Sequence, residues 1–389
     1  MKQMSILRFT FLMVCINAMI SNVLSNPRTA RSASDDTFAK KIEEGYKMLK
    51  NGSNINETIA VVTELHNMEE KIVEQLLSSP EENAVFLDVI RNHTKFVGRN
   101  HTKPVDGRTI EEVNEENKVN MVLFEGDMIL TKEQAHRVMD DLKHDEAKRT
   151  KRQAHRNATR LWPNGVVYYS FDSSATDITK RLFKKASDAW SGDTCVEFKE
   201  DDKASDRVVV HESLGCVSHV GKVGGKQKIY LGQLCESIGY VAHEIGHTLG
   251  LLHTQSRPDR DEYVRVIVEN IRVSRLEKYS VLIIKKDFVP QFRVRGEDVV
   301  NNYNLPYEYG SIMHYSARSY FNHSASISHE PSVIPYDVNY LETLGSSIIS
   351  FYDKLMINHH YGCLGEKNIC HLDTFSTRRH LHGFYCSFL

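Results

Sequence analysis

The chain has 389 residues, room for two domains of ordinary size or for one with appendages. Hydrophobic residues make up 41% and charged residues 26%, the composition of a globular protein. A net charge of −2 gives no electrostatic footing on a nucleic-acid backbone or an anionic membrane surface, so neither partner is expected.

At the N-terminus, Lys2 and Arg8 precede the apolar run FTFLMVCINAMI, residues 9–20. That run falls short of the about 20 residues a membrane span needs. With the small residues Val23 and Ser25 behind it, residues 1–25 read as a secretory leader cut before Asn26. No other segment suits a bilayer, so the product is expected to be secreted and extracellular, with no membrane span. Cysteine usage agrees. Cys15 leaves with the leader, and an even set remains: Cys195, Cys216, Cys235, Cys363, Cys370 and Cys386. In an oxidising compartment these suggest three bridges, for which spacing alone leaves about 15 connectivities. Sequons at Asn51, Asn56, Asn92, Asn100, Asn157 and Asn322 suit a glycosylated, secreted chain.

Residues 26–152 are charged and helical in pattern. TFAKKIEEGYKMLKN and ETIAVVTELHNMEEKIVEQLLSS carry apolar residues three and four apart. Residues 91–120 are polar and are expected to be loosely ordered. The apolar stretch NMVLFEGDMIL (120–130) follows, then the capped helix TKEQAHRVMDDLKHD. Residues 148–152, KRTKR, contain the R-x-K-R pattern that secretory convertases cut, placing a processing site at Arg152/Gln153. Residues 26–152 would then be a propeptide and a convertase its activating partner.

Beyond the basic run the texture changes. VVYYSF (166–171), CVEF (195–198), RVVVHES (207–213) and KIYLG (228–232) have the composition of strands. TDITKRLFKKASDAW (176–190) and SIGYVAHEIGHTLGLL (237–252) read as helices, an α+β pattern. The second helix carries the chemistry. His243 and His247 are four apart, just over one helical turn, so both imidazoles face one way. Gly250 lets the chain leave the helix sharply, and His253 can return a third nitrogen. Three protein ligands leave zinc an open position for water, whose pKa the metal lowers toward about 7. Glu244, on the same helix, is placed as general base and then as proton donor to the leaving amine. A closed structural zinc site is disfavoured, because such sites have four ligands and are rich in cysteine.

H-E-x-x-H alone is moderate evidence, but the extended form H-E-x-x-H-x-x-G-x-x-H belongs to the metzincins, which add a methionine turn downstream. SIMHY (311–315) fits that turn. HEIGHTLGLLH, RPDRDEYV (257–264), SIMHY, LWPNGVVYY (161–169), GCVSHVGKVGGKQ (215–227) and INHHYGC (357–363) together resemble the astacin family of secreted zinc metalloendopeptidases. The resemblance covers about residues 153–363 and implies a two-lobed catalytic domain with a mostly antiparallel sheet and a zinc-binding helix, behind a largely helical propeptide.

It also implies residue roles. His243, His247 and His253 would hold one zinc ion per catalytic domain, above Met313, with Glu244 as base. Tyr315 would be a further zinc ligand at rest and an oxyanion donor during catalysis. Cys195–Cys363 and Cys216–Cys235 match the family's two bridges, which leaves Cys370 and Cys386 as candidates for a third. FEGD (124–127) matches the family's F-x-G-D switch, in which Asp127 would bind zinc and keep the precursor silent. The expected substrates are proteins or peptides, extracellular matrix among them.

The chain departs from the pattern at Thr254, where the family often has glutamate, and at Val217, where it often has tryptophan. Residues 364–389 form a short tail, an EGF-like remnant at most, which keeps open a truncated product. A catalytically silent, secreted binding protein is the alternative function, and it would have lost a ligand or the base; neither is lost here.

Overall fold

The computed structural model describes residues 27–49, 55–76, 83, 88, 109–143, 154–155, 160–213, 215–271, 274–278, 281–285, 288–295, 300–320 and 331–363. The expected leader, the Arg152/Gln153 cut, the sequons at Asn51, Asn92, Asn100, Asn157 and Asn322, and the tail with Cys370 and Cys386 lie outside these residues. Asn56 is described and exposed.

The first part of the chain is helical, as its periodicity predicts. It comprises α1 (Pro27–Leu49), α2 (Ile55–Asn67), α3 (Glu69–Leu76), α4 (Ile110–Glu116), the short strand β1 (Met128–Ile129) and α5 (Lys132–Lys143). Helix α2 buries Ile55, Thr58, Val61, Val62 and Leu65, the three-and-four spacing read from the sequence. Helix α4 is a correction, since residues 91–120 were expected to be loosely ordered. A capping box forms it: the Thr109 side chain accepts from the Glu112 N–H, and the Glu112 carboxylate accepts from the Thr109 N–H. Thr131 and Gln134 make the same reciprocal pair at the start of α5.

The rest carries β2 (Ala154–His155), β3 (Val166–Phe171), α6 (Asp177–Ser191), β4 (Glu197–Glu200), β5 (Arg207–His211), β6 (Cys216–His219), β7 (Lys226–Leu231), α7 (Ile238–Thr248), β8 (Val264–Val266), β9 (Ser274–Lys278), β10 (Val281–Lys285), β11 (Val300–Asn301), β12 (Val333–Pro335) and α8 (Phe351–His360). The principal sheet runs β1-β6-β7-β5-β3-β4. Its sense corrects the expectation of a mostly antiparallel sheet: within it only β6 and β7 are antiparallel, and every other neighbouring pair is parallel. The cause is connectivity. Helix α6 returns the chain to lay β4 beside β3 in the same direction, whereas residues 220–225, with Gly221, Gly224 and Gly225 at positive φ, form the tight reversal that an antiparallel pair requires. The α+β class itself stands.

One core lies between this sheet and α6 and α7, around Phe183, Trp190, Val208, Ile229, Ile245 and Met313. Both tryptophans anchor α7 by its carbonyls: Trp190 donates to Ala242 at 2.8 Å and Trp162 to Thr248 at 3.0 Å. A second core joins helices of the first part to the C-terminal segment, bringing Val61, Leu65 and Ile72 against a group that includes Val264, Ile267, Phe288 and Phe292. The disulfides pair Cys195 with Cys363 and Cys216 with Cys235, as the family resemblance implied. The first ties the entry to β4 to the end of α8; the second ties β6 to the turn before α7.

Helix α7 stops at Thr248, four residues before the end of the stretch read as helical. Gly250 adopts φ +106°, its N–H reaches the His247 carbonyl, and the Leu251 N–H reaches that of Gly246. These two bonds are a Schellman ending, which satisfies the last carbonyls and turns the chain toward His253. A Cβ on Gly250 would stand 2.9 Å from His360 Nε2. Gly250→Ala should therefore lower unfolding stability by about 1–3 kcal/mol, read from denaturant midpoints; an unchanged midpoint would contradict this role for the turn.

Candidate active site

On α7, the His243 ring donates through Nδ1 to the Ile312 carbonyl at 2.7 Å, and the His247 ring through Nδ1 to the Leu251 carbonyl at 2.9 Å. A carbonyl only accepts, so each Nδ1 carries the proton and each neutral ring presents a bare Nε2 lone pair. Those two Nε2 atoms stand 3.1 Å apart, and His253 Nε2 lies 3.3 Å from that of His243. Asp127, 1% exposed, completes the group, with its carboxylate oxygens 3.0 Å, 3.3 Å and 3.5 Å from the Nε2 atoms of His253, His243 and His247. All four ligand atoms lie within 4.8 Å of one another.

The arrangement fits zinc. A tetrahedral ion with ligands at roughly 2.0–2.2 Å sets its donors about 3.3–3.6 Å apart, close to the spacings found. Lone pairs aimed at each other in a buried pocket need a cation between them. Burial pushes His247 down to about 4 and so favours the neutral, metal-ready ring. His253 behaves differently. Burial opposes its charge, but the Asp127 and Glu125 carboxylates overcome this and raise it to about 9.

Glu244 is fully buried and neither carboxylate oxygen has a hydrogen-bond partner among the described residues. Burial and the negative charge of Asp127 hold its pKa well above the ordinary carboxylate range. Met313 packs under the helix: a Cβ on Gly246 would meet its sulfur at 2.5 Å. Its turn also supplies the Ile312 carbonyl that orients His243. Thr254 donates its hydroxyl to Ser311, whose own hydroxyl donates to Asp353 at 2.6 Å, so this position joins a neutral chain that ends on a buried carboxylate.

The segment from 109 to 143 is threaded through this site. Strand β1 pairs in parallel with the edge strand β6, setting Met128 against Ser218 and Ile129 against His219. Asn114, wholly buried, accepts from the Cys216 N–H and donates to the Cys216 and Gly126 carbonyls, clamping the FEGD turn to the strand edge. Gln134 donates to the Val220 carbonyl at 2.9 Å. Gly126 has φ +83°, and a Cβ there would run into the Tyr320 hydroxyl. Glu125 accepts from His253 Nδ1 at 2.9 Å through one oxygen and from Arg295 Nε at 2.7 Å through the other. Although burial pushes Glu125 up, Arg295 and His253 together hold it below the ordinary range.

The sequence-derived residues therefore meet, with one qualification. Tyr315 lies beside His253, ring centroids 4.9 Å apart, but its hydroxyl donates to the Glu125 carbonyl at 2.7 Å rather than joining the ligand cluster. Burial keeps this phenol protonated, with a pKa well above its usual value. Sequence reasoning missed Glu125, Arg295, Asn114 and Gln134. Glu125 was visible as the second carboxylate of FEGD, and Gln134 as the partner of Thr131 in a capping pattern. Arg295 and Asn114 carry no local signal.

Comparison with known proteins gives the same family. Residues 154–362 match the model of the peptidase family described as astacin. The chain is 36% identical over 273 residues to zinc metalloproteinase nas-31 of Caenorhabditis elegans, covering 68% of this chain and 41% of that protein. With zinc metalloproteinase nas-32 of the same nematode it shares 35% over 252 residues, 65% of this chain and 35% of the relative. The chain thus spans well under half the length of these curated relatives. Among solved structures, high choriolytic enzyme 1, a hatching enzyme zinc-protease from the medaka Oryzias latipes, is 29% identical with a TM-score of 0.43, over 53% of this chain and 92% of that one.

Zinc and a proton compete for His253 Nε2, and at pH 7 the metal-free ring, raised to about 9, holds the proton. Zinc titration into the metal-free chain at pH 7 should release about one proton, falling toward none above pH 9. Calorimetry in buffers of different ionisation enthalpy reads this, and no buffer dependence at pH 7 would contradict it.

Proposed function

Since the chain belongs to the astacin family of peptidases, we propose that it is a zinc-dependent endopeptidase, made as a latent precursor and secreted. Residues 1–25 are the leader, 26–152 the propeptide cut by a convertase after Arg152, 153–363 the catalytic domain and 364–389 the tail. The observation that carries the reading is the buried convergence of three imidazole nitrogens and Asp127 beside a carboxylate without a partner, Glu244. The two disulfides support folding in an oxidising compartment. No helix among the described residues is long and apolar enough to cross a membrane.

His243, His247 and His253 would hold the zinc. When bound, it polarises the scissile carbonyl and makes water acidic enough to supply hydroxide near neutral pH. The protein's own groups do the rest. Glu244 takes the proton of the attacking water and delivers it to the amine nitrogen as the C–N bond breaks. Tyr315 already donates to a backbone carbonyl, that of Glu125, which supports its role as donor to the substrate's carbonyl oxygen as negative charge grows there. Its role as a resting ligand belongs to the form without the propeptide.

Asp127 accounts for latency. It takes the position that the reacting groups need, and its charge raises the proton affinity of Glu244. When it leaves, that contribution goes, and Glu244 becomes a carboxylate at lower pH than in the precursor.

Glu244→Gln should retain one zinc per chain and lose activity by about 10²–10⁴-fold, assayed on a protein substrate after cleavage at Arg152. Retained activity would remove Glu244 from the mechanism. In a chain made uncleavable by Arg152→Ala, Asp127→Ala should turn an inert precursor into an active one; continued silence with zinc bound would show that latency does not depend on this carboxylate.

A further inference from the structure

Tyr320 stands beside Tyr315, ring centroids 5.7 Å apart and planes inclined by 66°. Its ring stacks on Phe288 at 5.0 Å, meets Phe292 edge-on at 5.9 Å and is 1% exposed, so its position does not depend on the FEGD turn. Its backbone has φ +55°, in the left-handed region that a bulky aromatic residue seldom enters. The Ser332 hydroxyl donates to the Ser319 carbonyl at 2.6 Å and helps to hold the chain there. Strain of this kind persists where the side chain it aims has a task. Ring packing accounts for the aromatic body of Tyr320 but not for its hydroxyl, which is buried without a hydrogen-bond partner among the described residues. Burial, and after it the charges of Glu111 and Asp127, keep this phenol protonated, so it is a donor without an acceptor, a costly state. Both phenols face one peptide unit. Tyr315 donates to the Glu125 carbonyl at 2.7 Å, and the Tyr320 hydroxyl stands where a side chain on Gly126 would begin. Removal of the turn would take the acceptor from Tyr315 and clear the space in front of Tyr320 together.

We propose that Tyr320 is a positioning residue for Tyr315: once the FEGD turn has gone, its hydroxyl donates to the Tyr315 phenol oxygen and directs the Tyr315 proton at the carbonyl oxygen of the substrate. The inference deepens the endopeptidase reading and rests on it. A phenol oxygen can accept one hydrogen bond while its own proton makes another. Such a chain polarises itself, so Tyr315 becomes the stronger donor for having accepted. The benefit grows as negative charge develops on the substrate's oxygen, and it therefore falls on the transition state.

The test uses the full chain, zinc-loaded and cut at Arg152, as wild type, Tyr320→Phe, Tyr315→Phe and the double variant. Phenylalanine keeps the ring and its packing and removes only the hydroxyl. Tyr320→Phe should lower kcat about tenfold and leave KM within about twofold. In the Tyr315→Phe background the same change should cost less than about twofold, because the group it acts through is already lost. A second arm measures binding of a phosphinic peptide, whose tetrahedral oxygens imitate the intermediate and which needs no turnover. Tyr320→Phe should weaken that binding about tenfold, and only where Tyr315 is present. Coupled losses of binding with no turnover in the wild type would keep the positioning role and remove the endopeptidase reading. An active wild type whose kcat and phosphinate binding are unchanged by Tyr320→Phe would overturn the proposal and leave that reading standing. Equal losses with and without the Tyr315 hydroxyl, or a rise in KM alone, would also overturn it, making Tyr320 a direct contact of the substrate.

Discussion

Two neutral imidazoles cannot comfortably point lone pairs at each other across 3.1 Å inside a protein. The fold forces them to. Each ring is held from behind by a carbonyl that fixes its proton on Nδ1, and each carbonyl belongs to a different feature: the Met313 turn for His243 and the helix-ending turn for His247. The tryptophans that pin α7, the glycine that ends it and the sulfur that lies under it all serve this convergence. A cation held between them would turn this convergence into ligation, so the packing behind the rings serves the metal site they would form.

Residues 109–143 reach this centre through two carboxylates separated by one glycine. Asp127 faces the histidine nitrogens, and Glu125 joins the far side of His253 to Arg295. Gly126 makes the close approach possible, because its conformation and its contact with Tyr320 leave no place for a Cβ. Such a turn would be weak alone. Asn114 clamps it to the sheet edge, β1 extends the sheet, and α2 and α3 bury Val61, Leu65 and Ile72 in the core shared with the C-terminal segment. The segment is thus held over a broad packed surface, while its approach to the histidine nitrogens is concentrated in one oxygen-bearing turn.

Much of the centre was legible because its chemistry is encoded by short-range spacing. The four-residue step from His243 to His247 and the glycine before His253 state their geometry through helix pitch and backbone freedom. The helices of the first part were legible for the same reason, and α4 was readable in principle, since Thr109 and Glu112 stand three apart as a capping box requires. The sense of the sheet was not. A strand of four or six residues looks alike in either direction, and only the path of the connections decides. Asn114 and Arg295 were equally hidden: each meets a partner more than a hundred residues away, Cys216 and Glu125 respectively, and nothing in the flanking sequence names that partner. The family resemblance supplied both disulfides, where cysteine spacing alone left many pairings open.

Asp127 and the three histidines converge so closely that they should form a single closed coordination set in the uncleaved chain. X-ray absorption at the zinc edge, taken on the zinc-loaded precursor and on its Asp127→Ala variant, tests this directly. Three imidazole nitrogens and one carboxylate oxygen at about 2.0–2.2 Å are expected in the precursor, with the carboxylate signature lost in the variant and the imidazoles retained. A precursor spectrum identical to that of the variant, or one lacking any of the three imidazoles, would contradict the claim that this turn closes the metal site.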